Sequence, residues 1–152
     1  CTVITRMNSL NTGGASAPAG AAAVFTPAGS NNAYGNVNPF GSYSNLYALA
    51  RFSGLDVKRR YTFTFFASRM GATNNRETLY TVTGATAGTA ALDAANNSSE
   101  VVIVSDIQPL PDGTVDLRVE PGPNNTSASL FYHLSAIKIE SVRKGFVLLI
   151  GP

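Results

Sequence analysis

A single histidine and a single cysteine limit the chemistry open to this chain. A Ser/His/Asp hydrolytic set would have to use His133 as its base, because no other imidazole exists. His133 lies in Phe131-Tyr132-His133-Leu134-Ser135-Ala136-Ile137-Lys138-Ile139, in phase with Phe131, Ile137 and Ile139, the pattern of a core-facing or hydrogen-bonded structural histidine. No Gly-x-Ser-x-Gly elbow presents a nucleophile, since Gly41-Ser42-Tyr43-Ser44-Asn45 lacks the second glycine. The nine acidic residues are scattered, with Asp112 in a turn and Asp116 on a solvated strand face, so no carboxylate pair for glycoside hydrolysis is marked. The chain is expected not to be an enzyme. Cys1 and His133 cannot form a transition-metal site between them, and no cofactor is expected. Carboxylate and carbonyl oxygens in loops leave room for a structural calcium, without a marked ligand set.

More informative is Phe65-Phe66-Ala67-Ser68-Arg69-Met70-Gly71-Ala72-Thr73-Asn74-Asn75-Arg76-Glu77-Thr78, which sets two guanidiniums, two amides and a carboxylate between two strand-like runs. Planar polar groups of this kind make bidentate hydrogen bonds to sugar hydroxyls or carboxylates. The competing reading is that Arg69 and Arg76 bond nearby carbonyls and Glu77, holding a long loop in shape. Asn124 and Asn125, in Pro123-Asn124-Asn125-Thr126-Ser127, make a second amide-rich loop, with an ordinary turn as the alternative. Tyr34, Phe40, Tyr43 and Tyr47 gather around loops of the first half, where a flat ring can stack on a sugar face or cover the end of a core. The candidate ligand-binding set is therefore Arg69, Asn74, Asn75, Arg76, Asn124, Asn125 and Tyr43.

The elements that must position these residues read as strands. The chain has 152 residues, 44% hydrophobic and 13% charged, against about 25% charged in an average soluble protein. That composition excludes charge-driven disorder and fits one domain over residues 1–152. A net charge of +2, with Lys58-Arg59-Arg60 as the tight basic run, offers no nucleic-acid footprint. No apolar stretch approaches the roughly 18 residues of a membrane span. Val115, Leu117 and Val119 alternate with polar residues as in a half-buried antiparallel strand, and Tyr61, Phe63 and Phe65 alternate with Thr62 and Thr64 as in a strand deep in a sheet. Further strands are expected at 2–7, 46–53, 77–83, 100–107, 130–140 and 145–150. Pro111-Asp112-Gly113 has the composition of a tight hairpin, which would make the strands on either side antiparallel neighbours. The first third, rich in Gly, Pro and Asn, predicts turns and long loops, and Ala90 to Ala95 predicts no more than a turn of helix. Short strands with regular turn signals predict an all-β jelly-roll sandwich. Its core should hold Phe63, Phe65, Val82, Val102, Val104, Val115, Leu117, Val119, Ile137 and Ile139.

Phe52-Ser53-Gly54-Leu55-Asp56, Tyr61 to Arg69, Asn75-Arg76-Glu77-Thr78 with Tyr80-Thr81-Val82-Thr83-Gly84, and Pro121-Gly122-Pro123-Asn124-Asn125 together resemble the galactose-binding-like β-sandwich modules of bacterial secreted and surface proteins. The resemblance covers about residues 30 to 140. It implies a galactose-binding-domain-like jelly roll located outside the cytoplasm or at the cell surface, commonly binding carbohydrate through loops at one end or on a concave face. Residue by residue, Arg69, Asn75, Arg76 and Asn125 match recurrent polar positions of such modules. The usual opening apolar strand is missing before Thr2, whereas Phe146-Val147-Leu148-Leu149-Ile150 resembles it at the other end. That segment is expected as a completing strand, in its own sandwich or in a neighbour's. Cys1 fits either a lipid-bearing mature terminus or a cut from a longer chain, although Thr2-Val3-Ile4-Thr5 reads at once as strand rather than tether. Two functions follow as expectations: a noncatalytic carbohydrate-binding module, whose partner is a glycan, or a structural or assembly subunit, such as a surface-filament or virion decoration protein, whose partners are neighbouring copies of itself.

Overall fold

A computed structural model describes residues 1–41 and 43–143, and the expected completing strand at 145–150 lies outside the described residues. Eleven strands follow one another among them: β1 (Thr2–Thr5), β2 (Ser9–Asn11), β3 (Asn32–Asn36), β4 (Ala48–Phe52), β5 (Arg59–Phe66), β6 (Glu77–Thr83), β7 (Ala87–Asp93), β8 (Val102–Ile107), β9 (Val115–Pro121), β10 (Phe131–Leu134) and β11 (Ala136–Arg143). Every pairing between them is antiparallel. One sheet has the order β1-β4-β9-β6-β7, and two three-stranded sheets have the orders β11-β5-β8 and β10-β3-β2.

The period-two patterns explain why these sheets face each other. Tyr61, Phe63 and Phe65 of β5, with Val104 and Ile107 of β8, bury one face against Tyr80 and Val82 of β6 and Val115, Leu117 and Val119 of β9. Each fully covered side chain of this size contributes roughly 1.5–3 kcal/mol. Phe65 and Tyr80 stack with ring centres 4.5 Å apart and planes 3° from parallel, which ties the two layers together. The result is a nearly all-β, sandwich-like fold. All ten expected core residues belong to this core, with Val102, Ile137 and Ile139 partly buried at its margin. The strand expected at 61–65 occupies the centre of its sheet, between β11 and β8.

Three expectations are corrected, and one strand is added to those expected. The hairpin at Pro111-Asp112-Gly113 does not form: β8 pairs with β5, and β9 pairs with β4 and β6, so the connection passes from one sheet to another. The turn chemistry is present, since Asp112 Oδ1 accepts from Thr114 N–H at 3.1 Å and Thr114 Oγ1 at 2.7 Å, but each flanking strand finds larger apolar partners elsewhere. No helix forms at Ala90 to Ala95, in line with the expectation, but Ala87–Asp93 forms a strand that was not expected, β7, paired along its whole length with β6, because seven ladder positions outweigh the weak strand preference of alanine. The segment 130–140 is two strands rather than one, interrupted at Ser135, with β10 pairing to β3 and β11 to β5. Within the loop-rich first third, Gly20–Ala28 forms a 3-10 segment whose Phe25 stacks on Phe66 at 5.9 Å, and Asn32–Asn36 forms β3.

Candidate functional site

The β3–β10 pair gives the site its wall. Its register sets His133 opposite Tyr34, Tyr132 opposite Gly35 and Phe131 opposite Asn36. Alternation then sends Tyr132 and Leu134 toward the main core, while Phe131 and His133 stand on the other face with Asn32 and Tyr34. His133 thus stands off the face shared by Ile137 and Ile139, because the break at Ser135 resets the alternation, and it is the buried, hydrogen-bonded histidine of the second expected reading. Gly35 is required at this crossing, since a Cβ there would overlap the Tyr132 phenol. Below the wall, Tyr80 Oη donates to the His133 carbonyl at 2.8 Å, and His133 N–H donates to Thr78 Oγ1 at 2.9 Å, so β6 anchors β10 from the core side.

The loop after β5 brings the guanidiniums. Arg69 is pinned through its backbone: its N–H donates to the Ala94 carbonyl at 2.6 Å, its carbonyl accepts from Asn96 N–H at 2.9 Å, and Met70 N–H donates to the Gly13 carbonyl at 2.7 Å. Its side chain crosses Gly13, where any Cβ would overlap the guanidinium. Arg76 is held by Asp93 Oδ1, which accepts its backbone N–H at 2.8 Å, and by Asn74 Oδ1, which accepts its Nε–H at 2.6 Å. The Arg76 guanidinium carbon sits 4.6 Å from the centre of the Phe131 ring.

Arg69 and Arg76 thereby meet Asn11, Tyr34, Phe40, Phe131 and His133 around a cavity of about 200 Å³. Phe40 contributes an aromatic lip, 57% exposed and edge-on to Phe131 at 5.2 Å. His133 is 1% exposed, with Nδ1 3.0 Å from Asn32 Oδ1. Nδ1 is assigned as the donor in that contact, which makes Nε2 the acceptor, and Nε2 has no hydrogen-bond partner. Burial first, and then the charges of Arg76 and Arg69, lower the imidazole pKa to about 3, so the ring is neutral at physiological pH. Burial and the neighbouring charge of Arg69 also lower the pKa of Arg76. Among the described residues neither guanidinium has a carboxylate within ion-pair distance.

Of the seven candidates, the structure brings Arg69 and Arg76 together at the cavity, with Asn74 behind Arg76. The other amides hold the loops. Asn75 Oδ1 accepts from Glu77 N–H, and Asn124 donates through its backbone N–H and Nδ2 to the Glu77 carboxylate. Asn125 Nδ2 donates to the carbonyls of Glu77 and Phe131, and its Oδ1 accepts from Ser127 N–H and Oγ. Of the competing reading, the bonds to Glu77 are not formed, since that carboxylate accepts from Asn124, while Arg76 does brace its own loop through Asn74. Tyr43 supplies its carbonyl to Asn36 Nδ2 and Phe40 N–H, while its ring stays 56% exposed outside the cavity. Tyr47 lies beneath the Arg118 guanidinium, 4.1 Å away, and is likewise outside. Asn11, Phe131 and His133 were missed as site residues, and the alternation of Phe131 with His133 beside a buried Tyr132 was the available signal.

A larger cleft, about 440 Å³, opens between β1, β2 and β4 and is walled mainly by Val3, Met7, Leu10, Leu49, Phe52 and Ile137. It gathers no convergent polar side chains, so the smaller cavity is the better candidate for specific recognition. Among the described residues no three His, Cys, Asp or Glu side chains gather to hold a metal, and no helix is long and apolar enough to cross a membrane. No family model, curated protein or solved structure matches this chain.

Proposed function

We propose that this chain is a noncatalytic, galactose-binding-like jelly-roll module, acting outside the cytoplasm or at a cell surface, that takes one sugar residue of a glycan into the Arg69–Arg76 cavity. The observation that carries the reading is the exposed Phe40 ring standing beside two half-buried guanidiniums at one small cavity. Sugar recognition uses that combination: a ring face for the C–H groups and donors for hydroxyl oxygens. The cavity is smaller than the about 300–1,000 Å³ of sites that bury drug-sized ligands, which suits a single pyranose gripped at a rim. No bond-breaking role is assigned, because the neutral His133 lies with neither carboxylate nor serine around the cavity among the described residues. Calorimetric titration with plant, algal and bacterial glycans tests the proposal. Binding that Phe40→Ala weakens at unchanged stability supports it, and no binding to any glycan at millimolar concentration ends it.

The assembly reading draws on a separate observation. β1 and β2 are edge strands, and their Val3, Ile4 and Leu10 side chains are exposed beside the apolar cleft. A second copy of this chain would cover such an edge. Sedimentation at high protein concentration decides it: a strict monomer removes the argument.

A further inference from the structure

We infer that the sugar taken by this cavity is acidic, carrying a carboxylate or a sulfate group; the inference rests on the carbohydrate reading above. Two half-buried guanidiniums converge on one cavity, yet the acids near them are engaged elsewhere. Asp93 Oδ1 accepts the backbone N–H groups of Arg76 and Ala95, and the Glu77 oxygens accept from Asn124. His133 adds no compensating charge. Asp93 offsets part of the charge on Arg76 from behind, but Arg69 and burial act against it, so the cavity holds two like charges at reduced solvation and a bound anion relieves that repulsion.

The donor geometry fits the same ligand. Arg76 is oriented by Asn74 at Nε and by the Phe131 ring, and its terminal nitrogens make no hydrogen bond among the described residues. A guanidinium fork of that kind matches two oxygens of a carboxylate or sulfate. Arg69, from the start of the same loop and laid across Gly13, offers a second guanidinium. Phe40 covers the apolar ring face.

The test is calorimetry of the full chain against matched oligosaccharides: neutral galactan, oligogalacturonate, and a galactan bearing sulfate esters, with sodium sulfate and sodium acetate as bare anions. The expected result is at least tenfold tighter binding of one or both acidic ligands than of the neutral one, with the advantage shrinking between about 0.05 and about 0.3 M salt. Arg69→Met and, separately, Arg76→Met should remove the acidic preference, and Arg69→Lys should restore part of it. Preference for oligogalacturonate alone assigns a carboxylate, and preference for the sulfated galactan alone assigns a sulfate ester. Equal binding of neutral and acidic ligands overturns the inference and leaves the carbohydrate reading standing. Binding of bare sulfate or acetate as tightly as the acidic sugar overturns it too, because the sugar ring and Phe40 would contribute nothing. Failure to bind any glycan removes the carbohydrate reading and the inference with it.

Discussion

The guanidinium carbon of Arg76 lies 4.6 Å from the centre of the Phe131 ring, a contact that joins the loop before β6 to the wall made by β10. Asn74 holds the other side of Arg76 through the 2.6 Å bond to Nε. Asn74→Ala removes an orienting partner without touching the core. A hydrogen bond to a charged group contributes about 1.5–3 kcal/mol, part of which solvent restores at a half-exposed site. Glycan affinity should fall roughly three- to tenfold while the urea midpoint moves little, and unchanged affinity would show that Arg76 does not bind ligand.

Phe40 and Tyr43 pair through a single β-bridge, both rings are more than half exposed, and only Phe40 borders the cavity. Losing a stacking ring costs about 1 kcal/mol or more, so Phe40→Ala should weaken glycan binding by about fivefold or more. Tyr43→Ala should leave affinity within about twofold. The reverse order in calorimetric titrations would move the site to the Tyr43 side.

Gly35 lets the Tyr132 phenol lie directly over the backbone of β3. Gly35→Ala forces two buried strands apart, and overpacking of this kind costs about 1–3 kcal/mol. Urea unfolding should show a lower midpoint for the variant, and a stability equal to wild type would mean the strands separate without strain.

His133 titrates near 3 in the folded chain and near the ordinary value of about 6.5 when unfolded. Between those values the unfolded chain takes up the proton and the folded chain does not. Stability is therefore complete above about pH 6.5 and declines as pH falls, by up to about 1.4 kcal/mol per unit from this group. Asp112, held low by Thr114, and Asp116, held low by Arg51, add to the acid loss equally in wild type and variant. His133→Gln should cost about 1 kcal/mol near neutrality and show a shallower decline between about pH 6 and pH 4. Parallel curves from denaturant titrations would show that the buried imidazole is protonated in place.

Much of the sandwich was legible because period-two alternation in β5, β6 and β9 survives any local context, and their inward residues are the expected ones apart from Tyr80, which was not among them. What failed involved pairing at a distance. Nothing local in Pro111-Asp112-Gly113 distinguishes a hairpin from a passage between sheets, and nothing in Asn32-Ala33-Tyr34-Gly35-Asn36 declares a strand until β10 lies beside it. Arg69 and Arg76 stood out as paired guanidiniums in one loop. Their neighbours Phe131 and His133 did not, because the reset of alternation at Ser135 is invisible when 130–140 reads as one strand. Asn75, Asn124 and Asn125 were chemically suitable for sugar, and the backbone groups of their own loops claim them first.

The most direct measurement is a set of amide nitrogen–proton correlation spectra recorded while an acidic oligosaccharide is titrated into the full chain. Binding in the proposed cavity predicts concerted shifts at Asn11, Tyr34, Phe40, Arg69, Arg76, Phe131 and His133, saturating with one dissociation constant. Shifts centred instead on Val3, Leu10 and Leu49 at the apolar cleft, or no saturable shift at any residue, would contradict the account.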